Sequence, residues 1–95
     1  MQRIELDSRP CFEAGVHLQF NTSRQQWIVQ APERVLMPDD IAVAILKRCD
    51  GHTTINEIGE ALAREYGAPQ SVVTKDTIEL LQDLADRGLI CDARG

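Results

Sequence analysis

Three cysteines, two histidines and fifteen carboxylates are the residues of this chain that could do chemistry, and their spacing decides which kind. Cys11, Cys49 and Cys91 stand far apart and odd in number, with no C-x-x-C pair and no histidine at zinc-ligand spacing. They read as buried or idle thiols of a reducing cytosol. His17 alternates with apolar residues in a strand pattern and is expected to face solvent. His52 belongs to the Asp50-Gly51-His52-Thr53 turn, where polar side chains serve the turn itself. A lone cysteine with a distant histidine is too common to mark a nucleophile. Asp39, Asp40 and Glu57 suggest a divalent cation, but each falls where a helix start favours negative charge. No glycine-rich phosphate loop is present. The expectation is a protein without catalysis, cofactor or metal.

The chain that positions these residues has 95 of them, enough for a single domain with one modest core. Apolar residues make up 43%, which excludes a disordered tail, and no apolar run approaches the roughly 20 residues of a membrane span. Met1-Gln2-Arg3-Ile4-Glu5 has no apolar core of a secretion signal, so a cytoplasmic protein is expected. Ten basic against fifteen acidic residues give a net charge of −5. Phosphate binding needs a concentrated positive field, so nucleic acid is disfavoured as a partner.

Along the chain, residues 1–14 form an extended lead-in, with Phe12 as a single anchor. Val16, Leu18 and Phe20 then alternate with His17 and Gln19, the period of a half-buried strand. A polar turn over 21–25 leads to Trp27-Ile28-Val29-Gln30, and Ala31-Pro32-Glu33 turns the chain into Arg34-Val35-Leu36-Met37. These three strands make an antiparallel meander with the second in the middle.

Everything after Pro38 reads as helical. Pro38-Asp39-Asp40 opens a first helix through Ile41, Ala44, Ile45 and Cys49. Thr54-Ile55-Asn56-Glu57 fits a capping box for a second, with Ile55, Ile58, Leu62 and Tyr66 in one stripe and Gly67 at its close. A third starts near Ser71, packs Val73, Thr77, Leu80, Leu81 and Leu84, and ends at Gly88 with Leu89 folding back onto Leu84. Residues 91–95 are a frayed tail. The order β-β-β-α-α-α is a winged-helix-like α+β domain spanning 1–95.

Such a fold often binds DNA, and a transcription regulator is the alternative function. The third helix opposes it, because Asp76, Glu79, Asp83 and Asp86 dominate its solvent face, where base readers should be Arg, Lys, Asn and Gln. The more telling feature is Arg34 to Met37. A last strand tends to lie at a sheet edge with one row of N–H and C=O groups unpaired, and an extended peptide is its natural partner.

The segment Trp27 to Met37 with Ala31-Pro32-Glu33-Arg34-Val35 inside it, then Cys49-Asp50-Gly51, Thr54-Ile55-Asn56-Glu57-Ile58 and Leu80-Leu81-x-x-Leu84-x-x-x-Gly88-Leu89-Ile90, resembles the PqqD family. The resemblance covers roughly residues 8–91. Met37-Pro38-Asp39 departs from the more polar, Asn-containing helix start of many relatives. The resemblance implies a peptide-recognition element of pyrroloquinoline quinone (PQQ) biosynthesis. It would bind the ribosomally made precursor PqqA by strand addition to the third strand and present it to the radical S-adenosylmethionine enzyme PqqE. On this chain the backbone of Arg34, Val35, Leu36 and Met37 would pair with the peptide. Val35 or Leu36 with Ile78, Leu81 and Gln82 would line its pockets, and Lys75 would be a charge partner.

Overall fold

The computed structural model describes residues 3–93. Its elements are β1 (Pro10–Phe12), β2 (His17–Asn21), β3 (Gln26–Ala31), β4 (Arg34–Leu36), α1 (Asp40–Leu46), α2 (Ile55–Tyr66), α3 (Gln70–Asp86) and β5 (Ile90–Asp92). The meander is as expected: β2, β3 and β4 form an antiparallel sheet in that order. With the three helices it gives the expected α+β fold.

The chain ends differ from expectation. Within the lead-in, Pro10–Phe12 is a strand, and β5 occupies the start of the supposed frayed tail; the two pair antiparallel with Cys11 opposite Cys91. Arg34 to Met37 is therefore not the last strand. Pro10 takes the first position of β1, where its missing N–H costs nothing, and its carbonyl accepts from the Gly51 N–H. Ile4 is buried, and the carbonyls of Leu6 and Ser8 accept from Asn56 N–H and Ile55 N–H, two donors of the first turn of α2. The N-terminal segment is thus a cap on α2 rather than a loose leader. The expectations for residues 1, 2, 94 and 95 lie outside the described residues.

The helices start and stop by local chemistry. Asp39, not Pro38, caps α1 by accepting from Ala42 N–H, so Pro38 precedes the helix. Helix α1 closes at Leu46, short of Cys49, in tight i→i+3 bonds from Arg48 and Cys49 N–H. The capping box of α2 is complete, with Thr54 and Glu57 exchanging side-chain-to-backbone bonds, and Gly67 closes the helix at φ 64°. Pro69 rather than Ser71 precedes α3. At its far end Leu89 N–H reaches the Leu84 carbonyl around left-handed Gly88, the expected Schellman turn.

The core joins Ile55, Ile58 and Leu62 of α2 to Leu81 and Leu84 of α3, with Ile45 and Leu46 of α1, Val29 and Ala31 of β3, and Leu89 and Ile90. Where α2 and α3 cross, Gly59 meets Thr74 so closely that a Cβ at 59 would stand 2.1 Å from the Thr74 hydroxyl. Three expected core members are instead on the surface: Tyr66 and Ile41 are each 52% exposed and Phe20 42%. Phe20 packs edge-on against Trp27, 5.5 Å between centroids, and the Lys47 ammonium covers the Trp27 ring at 4.5 Å. Trp27 is consequently only half-buried.

Candidate functional site: an open strand edge beside α3

Strand β4 pairs with β3 through Ala31–Arg34, Gln30–Val35 and Val29–Leu36. Its other side has no strand partner among the described residues. The alternation of a strand assigns the side chains to faces. Leu36 lies opposite buried Val29 and turns toward the helices, whereas Val35 lies opposite Gln30 on the outer face. Val35 and Leu36 therefore do not line one pocket.

Between β4 and α3 runs a groove of about 300 Å³, walled by Leu36 and Met37 on one side and by Leu80, Leu84 and Arg87 on the other, with Val29 and Leu46 at its floor. The Arg34 guanidinium donates to the carbonyl of Arg87, one of the residues lining the groove. Arg87 also pairs with Asp83 at 3.3 Å. Met37 is 60% exposed, and Ala42 and Leu46 of α1 border the groove as well.

The helix wall differs from the one expected. Leu81 is wholly buried in the core and unavailable to a ligand without unfolding. Gln82 accepts from Ile4 N–H at 2.8 Å and donates to Asp86 at 3.0 Å, so its amide is occupied by the N-terminal segment. Ile78 and Lys75 share that side of the helix, one and two turns before Gln82. The groove is faced instead by Leu80, Leu84 and Arg87, an i, i+4, i+7 line on the opposite side. The sequence contains this second stripe, but choosing between the two requires knowing where the N-terminal segment lies.

Of the carboxylates that suggested a metal, Asp39 caps α1, Glu57 completes the capping box of α2 and Asp40 stands in the first turn of α1. Asp50 accepts from the N–H of His52 and Thr53, each at 2.8 Å. These bonds hold the Asp50 carboxyl below its ordinary value of 3.8. The Thr54 N–H likewise lowers Glu57, within the capping box. Among the described residues no three His, Cys, Asp or Glu side chains converge as a metal site. Nor is any helix there long and apolar enough to cross a membrane. Cys11 and Cys91 face each other across β1 and β5 with sulfurs 2.9 Å apart. Desolvation by burial raises the Cys91 thiol, as does its bond to Cys11. Burial pushes Cys49 up to about 12.

The three-stranded antiparallel sheet with three helices is an α+β fold that matches solved PqqD structures. Residues 26–90 match the family described as Coenzyme PQQ synthesis protein D (PqqD), and the chain belongs to that family. It is 46% identical over 87 residues to the PqqA binding protein of Rhodopseudomonas palustris (strain BisB5), covering 92% of this chain and 85% of that protein. Its structure resembles the solution NMR structure of the PqqD truncation of Methylobacterium extorquens PqqCD, with a TM-score of 0.80 and 32% identity over 93% of this chain and 94% of the other. That relative is described as a functional, stand-alone recognition element for ribosomally synthesized and post-translationally modified peptides. The crystal structure of PqqD from Xanthomonas campestris matches with a TM-score of 0.56 at 42% identity, over 88% of this chain and 93% of that one.

Proposed function

We propose that this chain is a non-catalytic adaptor of PQQ biosynthesis that binds the precursor peptide PqqA and presents it to the radical S-adenosylmethionine enzyme PqqE in the cytoplasm. The observation that carries the reading is the unpaired outer edge of β4, flanked by an apolar groove. The names of the relatives support the peptide as partner.

In this reading the peptide adds as a fourth strand along Arg34 to Met37, and one row of its side chains enters the groove over Leu36, Leu80 and Leu84. Ordering a disordered precursor opposes binding by about 2–5 kcal/mol. A few ladder bonds at about 1 kcal/mol each barely offset that. The groove must supply the remainder, and burying one Leu-sized side chain contributes about 1.5–3 kcal/mol. Backbone pairing gives affinity with little sequence dependence; the groove gives selection.

Calorimetric titration with PqqA tests this. Leu36→Asp, in the groove, is expected to weaken binding by at least about tenfold, since it removes a Leu-sized contact. Val35→Asp, on the outer face of the same strand, should change affinity far less, and Glu33→Ala less still. Equal affinities for all three variants would remove the groove from the mechanism. The DNA-binding alternative gains nothing from the structure, because Asp76, Glu79, Asp83 and Asp86 are all exposed on α3.

A further inference from the structure

The groove beside β4 is bordered by Ala42 and Leu46 of α1 as well as by α3, and a second hollow lies between the same two helices. It is an apolar depression of about 220 Å³ between α1, the end of α2 and the start of α3, bordered by Ile41, Tyr66, Val72 and Val73. Ile41, Tyr66 and Val72 are each 52% exposed, which is unusual for three large apolar side chains around one hollow. Val73 of the hollow stands seven positions before Leu80 and eleven before Leu84 of the groove, so the two sites share one side of α3. From Leu80 to Val73 the helix rises about 10 Å, the length of about three extended residues.

We propose that this hollow is a second subsite for the same peptide, taking an apolar side chain a few residues beyond the strand-pairing segment, with a Lys or Arg beside it. The proposal rests on the peptide-binding reading of β4. Position supplies the first argument, since α1 and α3 line both the groove and the hollow. Charge supplies the second. Asp76 lines the hollow and takes part in no salt bridge or side-chain hydrogen bond among the described residues. A carboxylate without an ion-pair partner beside an apolar floor complements a basic-flanked apolar residue. It disfavours a second copy of this chain, whose net charge is −5.

The experiment is calorimetric titration of the full chain with PqqA at two salt concentrations, using Val72→Glu, Ile41→Glu, Asp76→Asn and Leu36→Asp. Amide-resolved spectra confirm that each variant is folded, and the first three replace exposed side chains. Val72→Glu and Ile41→Glu, on different helices, are each expected to weaken binding about tenfold, as losing one Val-sized contact implies. Asp76→Asn should reduce the salt dependence of the affinity. If the wild-type chain does not bind PqqA, the reading of β4 itself falls. If it binds and Leu36→Asp weakens it while Val72→Glu and Ile41→Glu bind like wild type, the second subsite is overturned and the reading of β4 stands. A change in sedimentation without a change in titration would make the hollow a self-contact, and also overturns the subsite.

Discussion

The Arg34 guanidinium donates to the Arg87 carbonyl, joining the first residue of β4 to the C-cap of α3 across 53 positions of sequence. A strand edge beside a helix can keep a groove of fixed width only if something sets the spacing. This contact ties β4 to the end of α3, and the hydrogen-bonded β3–β4 ladder holds the strand itself.

Arg34→Met keeps the aliphatic stem and removes the donor. The bond is exposed, so global stability should fall by no more than about 1 kcal/mol. Local opening is the larger effect: amide exchange at Leu36 and Gly88 should accelerate relative to the α2 core. Unchanged exchange at both amides would show that the spacing is set elsewhere.

Gly59→Ala should destabilise the domain by about 1–3 kcal/mol, as overpacking of a tight contact does. A methyl there meets the Thr74 hydroxyl at 2.1 Å, its Cβ at 3.1 Å and its Cα at 3.2 Å. Because the Thr74 hydroxyl is buried with no hydrogen-bond partner among the described residues, Thr74→Ala in the Gly59→Ala background should restore part of the loss. Urea unfolding of the single and double variants measures both.

Cys11 and Cys91 should join under a mild two-electron thiol oxidant such as diamide, each sulfur giving up one hydrogen to the reagent. Their sulfurs already lie 2.9 Å apart on directly opposed residues. Attack requires a thiolate, and the Cys91 pKa is raised, so the rate should climb with pH. Cys49, pushed up to about 12 by burial, should stay reduced. Mass spectrometry of alkylated digests separates the outcomes; equal alkylation of Cys49 and Cys91 before oxidation would contradict the burial argument. The bridge closes nearly the whole chain into a loop, so it should add up to about 4 kcal/mol to stability.

Acid should weaken the turn at Asp50 and the start of α2. Both carboxyls have folded pKa values below their ordinary 3.8 and 4.5. Such groups stabilise the folded state above those ordinary values, and the contribution disappears as pH falls through them and toward the lower folded values. Thermal melts from about pH 7 to about pH 3 should therefore show a falling melting temperature below about pH 4.5. The decline should be shallower in Asp50→Asn/Glu57→Gln, whose side chains accept hydrogen bonds without titrating. An equally steep decline in that variant would place the acid sensitivity elsewhere.

The features legible in sequence are those encoded by short-range chemistry. The capping box at Thr54 and Glu57, the left-handed glycines at 67 and 88, and the alternation through Val16, Leu18 and the β3 strand all depend on neighbours within a few positions. The strand at Arg34 to Leu36 was legible for the same reason, but its place at the sheet edge was argued from its being the last strand, which β5 contradicts. What was not legible depends on distant partners. Neither Pro10–Phe12 nor Ile90–Asp92 has a strand signal of its own, since each is three residues long and exists by pairing with the other. The choice of groove wall on α3 is of the same kind: the Gln82 amide is taken by the Ile4 N–H, 78 positions away, while Leu80 and Leu84 line the groove. Ile41 and Tyr66 fit apolar stripes by period, yet the short α1 leaves no layer above them.

The β1–β5 clasp has a temporal consequence. During synthesis the first strand leaves the ribosome some eighty residues before its mate, so it must wait unpaired until translation has nearly finished. The strand meander can close early, while the N-terminal cap on α2 and the seal over the core come together only at the end. A nascent chain stalled before Ile90 would thus hold a formed strand edge on an unfinished body.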